Sequence, residues 1–349
     1  MATIKDVAAQ AHVSTATVSY VLNGTGAVTA ATRRRVLEAV AALDYQPNHA
    51  ARSMRTRSRT LGLILPPGPN GLADPALAEL VAGLSSGAAA ADHYLLLAPS
   101  SAQLEQELGA QLVRSGRVDG LILLDLRVDD ERVVSLTSAG VPCVAAGCPL
   151  PSCPCPSVGL DYSGGATAAT RHLVALGHQR VALIALPSDF ADSEPFVQGF
   201  ANALAAAGLH VDPALVIEAN NTHADGVAAT QELLTNPDPP SAILAASDTL
   251  AFGALHALHD AGVHVGRTMA LVGCGDLPLA AHAHPPLTTL RTPRHALGVA
   301  LAQRLIARIE QRELPPSPLL GLKLMVRHST LGGYGGKPGL PPYPRLHEG

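Results

Sequence analysis

From Leu61 to Gly273 the chain repeats one pattern, a short and strongly apolar run followed by a longer stretch with helical spacing. The runs are Leu61–Leu65, Tyr94–Ala98, Val118–Leu124, Val141–Ala146, Val181–Leu186, Ala242–Ala246 and Met269–Gly273. Between and after them lie helical candidates near 76–91, 102–115, 163–176, 194–207, 225–235, 248–261 and 294–312. A strand with one wet face alternates apolar and polar residues. A strand apolar on both sides must be covered on both, which is the situation in parallel sheets with crossover helices. Two such sets, roughly 60–158 and 159–288, predict two doubly wound α/β lobes. Ligands of such sheets bind beyond the carboxyl ends of the strands, here in the cleft between lobes.

Ahead of this body the rhythm is all helical. Ile4–Ala11 places Ile4, Val7, Ala8 and Ala11 on one face, and His12-Val13 breaks the pattern. Ser14 stands as an N-cap before Thr15–Asn23, with Val18, Val21 and Leu22 on one side. Thr29 caps a third helix reaching about Asp44, whose predicted inner face is Val36, Leu37, Val40 and Leu43. Pro47 ends the unit, and Asn48–Arg55 offers one or two more turns. The predicted domains are a helix-turn-helix head at 1–46, a short helical segment and linker at 47–59 and a two-lobed body at 60–331. A Gly/Pro-rich tail at 332–349 reads as disordered. Within the body, lobe 1 is read as about 60–158 plus 290–320, and lobe 2 as about 159–289 plus 321–331.

Charge follows the same division. The 349-residue chain carries a net −4, yet residues 1–60 hold eight basic against three acidic side chains, a head of +5 on a body of −9. Only the head is suited to a polyanion. The first ten residues contain Lys5 and Asp6 and no apolar core segment, unlike a secretory signal. No run is long enough to span a membrane. Five cysteines in a chain of this size do not read as a disulfide framework. These features point to the cytoplasm.

A helix-turn-helix lays its second helix in the major groove and reads base edges with the first turn of that helix. Here that turn carries Thr15, Ala16 and Thr17, with Tyr20 one turn on, while Ser14, Ser19 and Asn23 are short donors suited to phosphates; a generic three-helix domain has the same apolar spacing.

The run TIKDVAAQAHVSTATVSYVLNGTGAVTAATRRRVLEAVAALDYQPNHAARSMRTRSRTLGLILP resembles, without gaps, the DNA-binding head and hinge of the lac repressor (LacI/GalR) family. SVGLDYSGGATAATRHLVALGHQRVALI resembles the opening of that family's second lobe. AILAASDTLAFGALHAL and ALVGCGD with PPLTTLRTP resemble later blocks, so the likeness covers roughly residues 2–330. It implies a homodimeric, non-enzymatic repressor on double-stranded operator DNA, its affinity set by a small-molecule effector between lobes shaped like a periplasmic binding protein. It implies that Thr15, Ala16 and Tyr20 read bases. Thr3, Ser14, Thr17, Ser19, Asn23, Val28, Thr29 and Asn48 would grip the backbone. Asn48–Arg55 becomes a hinge helix entering the minor groove, with Ala51 on its groove face and Met54 as the wedge that unstacks a base step, an insertion costing on the order of a few kcal/mol.

The chain also departs from the family. Tyr20 replaces a common Arg, removing a bidentate guanine contact worth about 1–3 kcal/mol. His12 replaces a turn Gly, and His tolerates φ > 0 better than a β-branched residue. In the cleft, Phe196 stands where sugar-binding members carry Arg, Ser247-Asp248 replaces Asn-Asp, and Gly275 and Gly147 replace acids. Asp161, Phe196, Asn221, Ser247, Asp248 and Asp276 are the effector-contact candidates, with N-capping of the following helix as the alternative role for Asp248. With several sugar-holding groups missing, the effector is expected to be sugar-like or less polar.

Other chemistry finds little support. Gly83-Leu84-Ser85-Ser86-Gly87 matches a nucleophile elbow but lies in a helical stretch. Cys148, Cys153 and Cys155, and the pairs His256/His259 and His282/His284, lack metal-site spacing. Ser163-Gly164-Gly165 lacks the spacing of a phosphate loop. No catalytic residue, metal or cofactor is assigned. A solute-binding protein and an enzyme on the same α/β lobes are the competing classes.

Overall fold

The computed structural model describes residues 3–23, 28–43, 58–65, 71–99, 105–147, 155–314, 316 and 319–331. It divides into two compact units, an amino-terminal one and a body that begins at Arg59. The predicted hinge helix, with Asn48, Ala51 and Met54, and the predicted tail lie outside the described residues.

The amino-terminal unit contains α1 (Ile4–Gln10), α2 (Thr15–Asn23) and α3 (Ala30–Ala42). Val7, Ala8, Ala11, Val18, Val21, Val36 and Ala39 form its buried core. His12 turns the chain between α1 and α2 at φ +51°, the left-handed conformation expected there. Leu37 is a correction: it is 49% exposed, because α3 turns Val36 and Ala39 inward, a three-residue spacing that puts Leu37 on the outer side.

In the body, β1 (Thr60–Leu65), β2 (Tyr94–Pro99), β3 (Gly120–Leu123), β4 (Cys143–Ala146), β5 (Ser157–Leu160) and β11 (Leu319–Leu320) form one sheet in the order β11-β5-β4-β3-β1-β2. All its pairings are parallel. The second sheet runs β12-β10-β9-β8-β6-β7. It comprises β6 (Val181–Ala185), β7 (Val216–Glu218), β8 (Ala242–Ala245), β9 (Ala270–Gly275), β10 (Thr288–Arg291) and β12 (Lys323–Met325), and only β12 is antiparallel. Helices cover both faces of each sheet. In lobe 1, α4 (Pro75–Ala89) and α11 (Arg294–Ile309) pack on one side, α5 (Glu105–Arg114) and α6 (Glu131–Ser138) on the other. In lobe 2, α7 (Tyr162–Ala175) and α8 (Ser193–Ala206) face α9 (His223–Leu234) and α10 (Asp248–Asp260) across the sheet. The short α12 (His328–Leu331) follows β12.

The two-sided burial explains the continuous apolar runs. Along β1, Leu61 and Leu63 enter the cluster under α4 and α11, while Ile64 enters the one under α5 and α6. Sheet membership moves two expected limits. β5, read as opening the second lobe, pairs with β4 in the first sheet, and β10 extends the second sheet to Arg291. Both sheets reverse direction of growth at one place, between β1 and β3 and between β6 and β8. Such switch points are where loops part and leave a crevice.

Candidate functional site

Each of α1, α2 and α3 opens with a hydroxyl cap. Thr3 and Asp6 form a reciprocal capping box on α1, and the Thr3 hydroxyl holds the Asp6 carboxyl below its usual pKa. Ser14 Oγ accepts from the Thr17 amide at 3.1 Å and lies 2.9 Å from the Thr17 hydroxyl. Thr29 accepts from the Thr32 amide at 3.3 Å. Capping fixes the start of α2, so its first turn is rigid where it meets solvent. Thr15 and Ala16 are exposed there and Tyr20 is 50% exposed one turn on, whereas Val18 and Val21 are buried. Thr17 and Ser19 are half-buried, and Val28 packs partly against the core.

In the body, the carboxyl ends of the parallel strands gather the other candidates. Asn221 and Ser247 follow β7 and β8, and the Ser247 hydroxyl donates to Asn221 Oδ1 at 2.6 Å on the exposed rim. Ser247 also caps α10 by accepting from the Leu250 amide at 3.1 Å. The alternative role considered for Asp248 therefore belongs to its neighbour. Asp248 itself is 1% exposed and accepts from the Thr289 hydroxyl at 2.5 Å and the Leu277 amide at 2.7 Å. Burial pushes its carboxyl up, against those two hydrogen bonds and the nearby Arg294. It ties α10 to β10 and to the segment after β9 rather than facing a solute.

Asp276, at φ +52°, accepts from Arg291 Nε at 2.5 Å and Arg327 Nη2 at 2.6 Å, so both oxygens are engaged. Asp161 caps α7 through the Gly164 amide at 2.9 Å. Phe196 is a further correction. It is 3% exposed in the lobe 2 core beside Phe200, with its ring edge-on to Tyr162 at 6.3 Å. Phe196 and Phe200 are four residues apart on α8, which puts both on the face against the sheet.

Sequence reasoning missed Arg294, whose Nη1 donates to the Gly275 carbonyl at 2.9 Å. A Cβ on Gly275 would stand 3.2 Å from Asp248 Oδ2 and 3.4 Å from Arg294 Nη2, on a backbone with φ +144°. Gly147 likewise sits at φ +143°, with Asp192 Oδ1 3.5 Å from where its Cβ would be. At both glycines expected to have lost an acid, a carboxylate from elsewhere in the chain stands close by. A scan for local motifs cannot see this, because Asp192 is 45 residues from Gly147 and folding alone joins them.

The elbow-like Gly83–Gly87 lies inside α4, not on a strand-to-helix turn. Ser86 donates to the Ala82 carbonyl at 2.9 Å and stands 3.5 Å from His295 Nε2. That bond within the helix and the exposed setting make it a surface contact. His256 pairs with Asp260 at 3.3 Å and lies beside His223. Among the described residues no group of three His, Cys, Asp or Glu side chains is placed to hold a metal, and no helix is long and apolar enough to cross a membrane.

Comparison with known proteins gives matches over both units. Residues 3–48 match the model of bacterial regulatory proteins, lacI family, and residues 170–330 that of a periplasmic binding protein-like domain. The HTH-type transcriptional regulator CelR of Thermobifida fusca is 37% identical over 94% of this chain and 98% of its own length. A solved complex of the transcriptional regulator CelR with cellobiose, 37% identical, superposes with TM-score 0.73 over 94% of this chain and all of the other. The lac repressor dimer bound to operator and the anti-inducer ONPF, 28% identical, superposes with TM-score 0.81 over 95% of this chain and 99% of its own.

Proposed function

This chain belongs to the lacI family of bacterial regulatory proteins and is a DNA-binding transcriptional regulator, and from that premise we propose that it is a homodimeric repressor acting in the cytoplasm. The observation that carries the reading is the rigid, solvent-facing first turn of α2 on a packed three-helix unit. Thr15, Ala16 and Tyr20 read base edges in the major groove, and Thr3, Ser14, Thr17, Ser19, Asn23, Val28, Thr29 and Asn48 hold phosphates. Ala51 and Met54 enter the minor groove. Two heads on a dimer meet two half-sites about one helical turn apart or a multiple of it.

The effector is a small carbohydrate or a less polar metabolite held between the lobes. The relative CelR is solved with cellobiose, and the rim pair Asn221–Ser247 offers an amide and a hydroxyl of the kind that bind sugar hydroxyls. Asp161 and Asp276 are further effector contacts on this reading, while Asp248 supports the site from beneath. Effector binding changes DNA affinity only as far as it prefers one lobe arrangement over the other.

The test selects duplexes from a random pool with the full-length protein, then measures gel shifts with and without a panel of mono- and disaccharides. The expected result is a pseudo-palindromic site whose binding weakens about a thousandfold or more between 50 and 200 mM salt, on the order of the loss for six or more phosphate contacts. Failure to enrich any sequence at low salt overturns the reading.

A further inference from the structure

The two lobes meet at a built contact that the site described above does not use. The loop after β3 and the loop after β6, one from each lobe, run antiparallel past each other. The Val128 amide donates to the Asp189 carbonyl at 2.9 Å, and the Ala191 amide donates to the Leu126 carbonyl at 2.9 Å. Between these bonds the Arg127 guanidinium lies 4.0 Å over the Phe190 ring and pairs with the Asp189 carboxylate. Ala191, a lobe 2 residue 4% exposed, belongs to an apolar cluster otherwise drawn from lobe 1, with Leu123, Leu126, Ala145 and Cys155 among its members. Beside it, Asp192 comes within 3.5 Å of the space that a side chain at Gly147 would fill.

Both halves of this contact are braced within their own lobe. In lobe 1, Arg132 donates to the Leu124 and Asp125 carbonyls at 3.0 and 3.1 Å, and to Asp130 at 2.6 Å. Asp130 in turn accepts from the Arg127 amide at 3.2 Å. In lobe 2, the Phe190 amide donates to the Pro187 carbonyl at 3.0 Å, and the Ser193 hydroxyl to the Leu186 carbonyl at 2.7 Å. Two loops already fixed in shape lose little conformational freedom when they join. The contact also sits at the switch point of both sheets, where the lobes must part for a solute to enter.

We infer that Arg127, Asp189, Phe190 and Ala191 form an interlobe clasp that holds the body closed without effector, so that the resting balance of open and closed states is written into the protein. Each part breaks when the lobes separate and re-forms when they meet. The Arg127–Asp189 pair is half-exposed, with side chains 48% and 56% accessible, so salt weakens it. The backbone pair, the ring stack and the Ala191 knob are not screened in this way, and the clasp tolerates salt in part.

The experiment compares small-angle scattering of the full-length wild type with Arg127→Glu, Asp189→Arg, the double reversal and Ala191→Glu, none with added effector. Affinity for a duplex selected with the wild type is measured in parallel. Each single change should enlarge the radius of gyration and shift duplex affinity about fivefold or more, and the double reversal should restore both. Thermal unfolding screens out any variant that has lost its fold, and Arg127→Gln then takes the place of the reversal. The clasp is refuted if single variants scatter like the wild type, or if the double reversal restores nothing. The scattering result stands whether or not a duplex is selected, so failure of the regulator reading and failure of the clasp are separable.

Discussion

Thr289 donates its hydroxyl to Asp248 Oδ1 across 2.5 Å, and the two residues are 0% and 1% exposed. The bond joins the start of α10 to β10, next to the last strand of the second sheet. Thr289→Val keeps the shape and removes the donor, leaving a buried carboxylate oxygen unanswered. The expected cost is about 1–3 kcal/mol, read as a lower denaturation midpoint with unchanged denaturant slope. A midpoint equal to that of the wild type would show that Asp248 is protonated or rehydrated in the fold.

Glycines at a helix crossing give a second test. A Cβ at Gly83 of α4 would lie 2.1 Å from the His295 carbonyl oxygen, and one at Gly298 of α11 would lie 2.3 Å from the Leu80 carbonyl oxygen. The two backbones touch there. Gly83→Ala or Gly298→Ala is expected to force the helices apart and destabilise lobe 1 by about 1–3 kcal/mol, despite the better helix propensity of Ala. A gain in melting temperature for either variant would contradict the packing.

How far the chain could be read in advance depended on how local each signal was. The apolar runs at β1 and β8 are buried on both faces, so each announces itself in one short window. β7 (VIE) is three residues on a sheet edge and β11 is two, too short for any periodicity. α6 was missed although its buried Val133 and Leu136 are three apart, because the helix is eight residues long beside the charged 129–132 stretch. In the head, the Ser14 cap was legible since it and the Thr17 amide it holds lie within one turn. In the cleft, Arg294 and Asp192 were not, because their meaning arises from neighbours far along the chain. The fate of Phe196 follows the same rule: its helix phase relative to the sheet, not its alignment, decides that it is buried.

A buried histidine makes stability depend on pH. His178 is 3% exposed, its Nδ1 3.0 Å from the Ser241 hydroxyl, and burial, with a smaller push from the charge of His172, lowers its pKa to about 4. The unfolded chain protonates this ring near 6.5 while the folded one resists until about 4. Protons therefore favour unfolding in that interval. Stability supplied by the neutral ring is present above about 6.5 and is lost as pH falls toward 4. Melting temperatures at pH 7 and pH 5 should differ less in His178→Gln than in the wild type. An equal difference in both would assign the acid sensitivity elsewhere.

On the proposed reading, the cap on α2 couples folding of the head to its contact with DNA. The Ser14 hydroxyl accepts from the Thr17 amide and also meets the Thr17 hydroxyl, so one side chain fixes both the helix start and the rotamer of its neighbour. Ser14→Ala leaves that amide to water and is expected to cost about 1 kcal/mol of head stability. If Ser14 also holds a phosphate, affinity for a selected duplex falls by about tenfold, the equivalent of 1.4 kcal/mol. The salt slope also becomes shallower, by about 0.9 only if a full charge contact goes with it. Tyr20→Ala is the contrast: if Tyr20 reads bases as proposed, its loss one turn away leaves the cap untouched, so sequence preference should broaden while head stability and salt slope stay nearly unchanged. Equal losses on every duplex sequence for Tyr20→Ala would move it from the base-reading set to the backbone-gripping one.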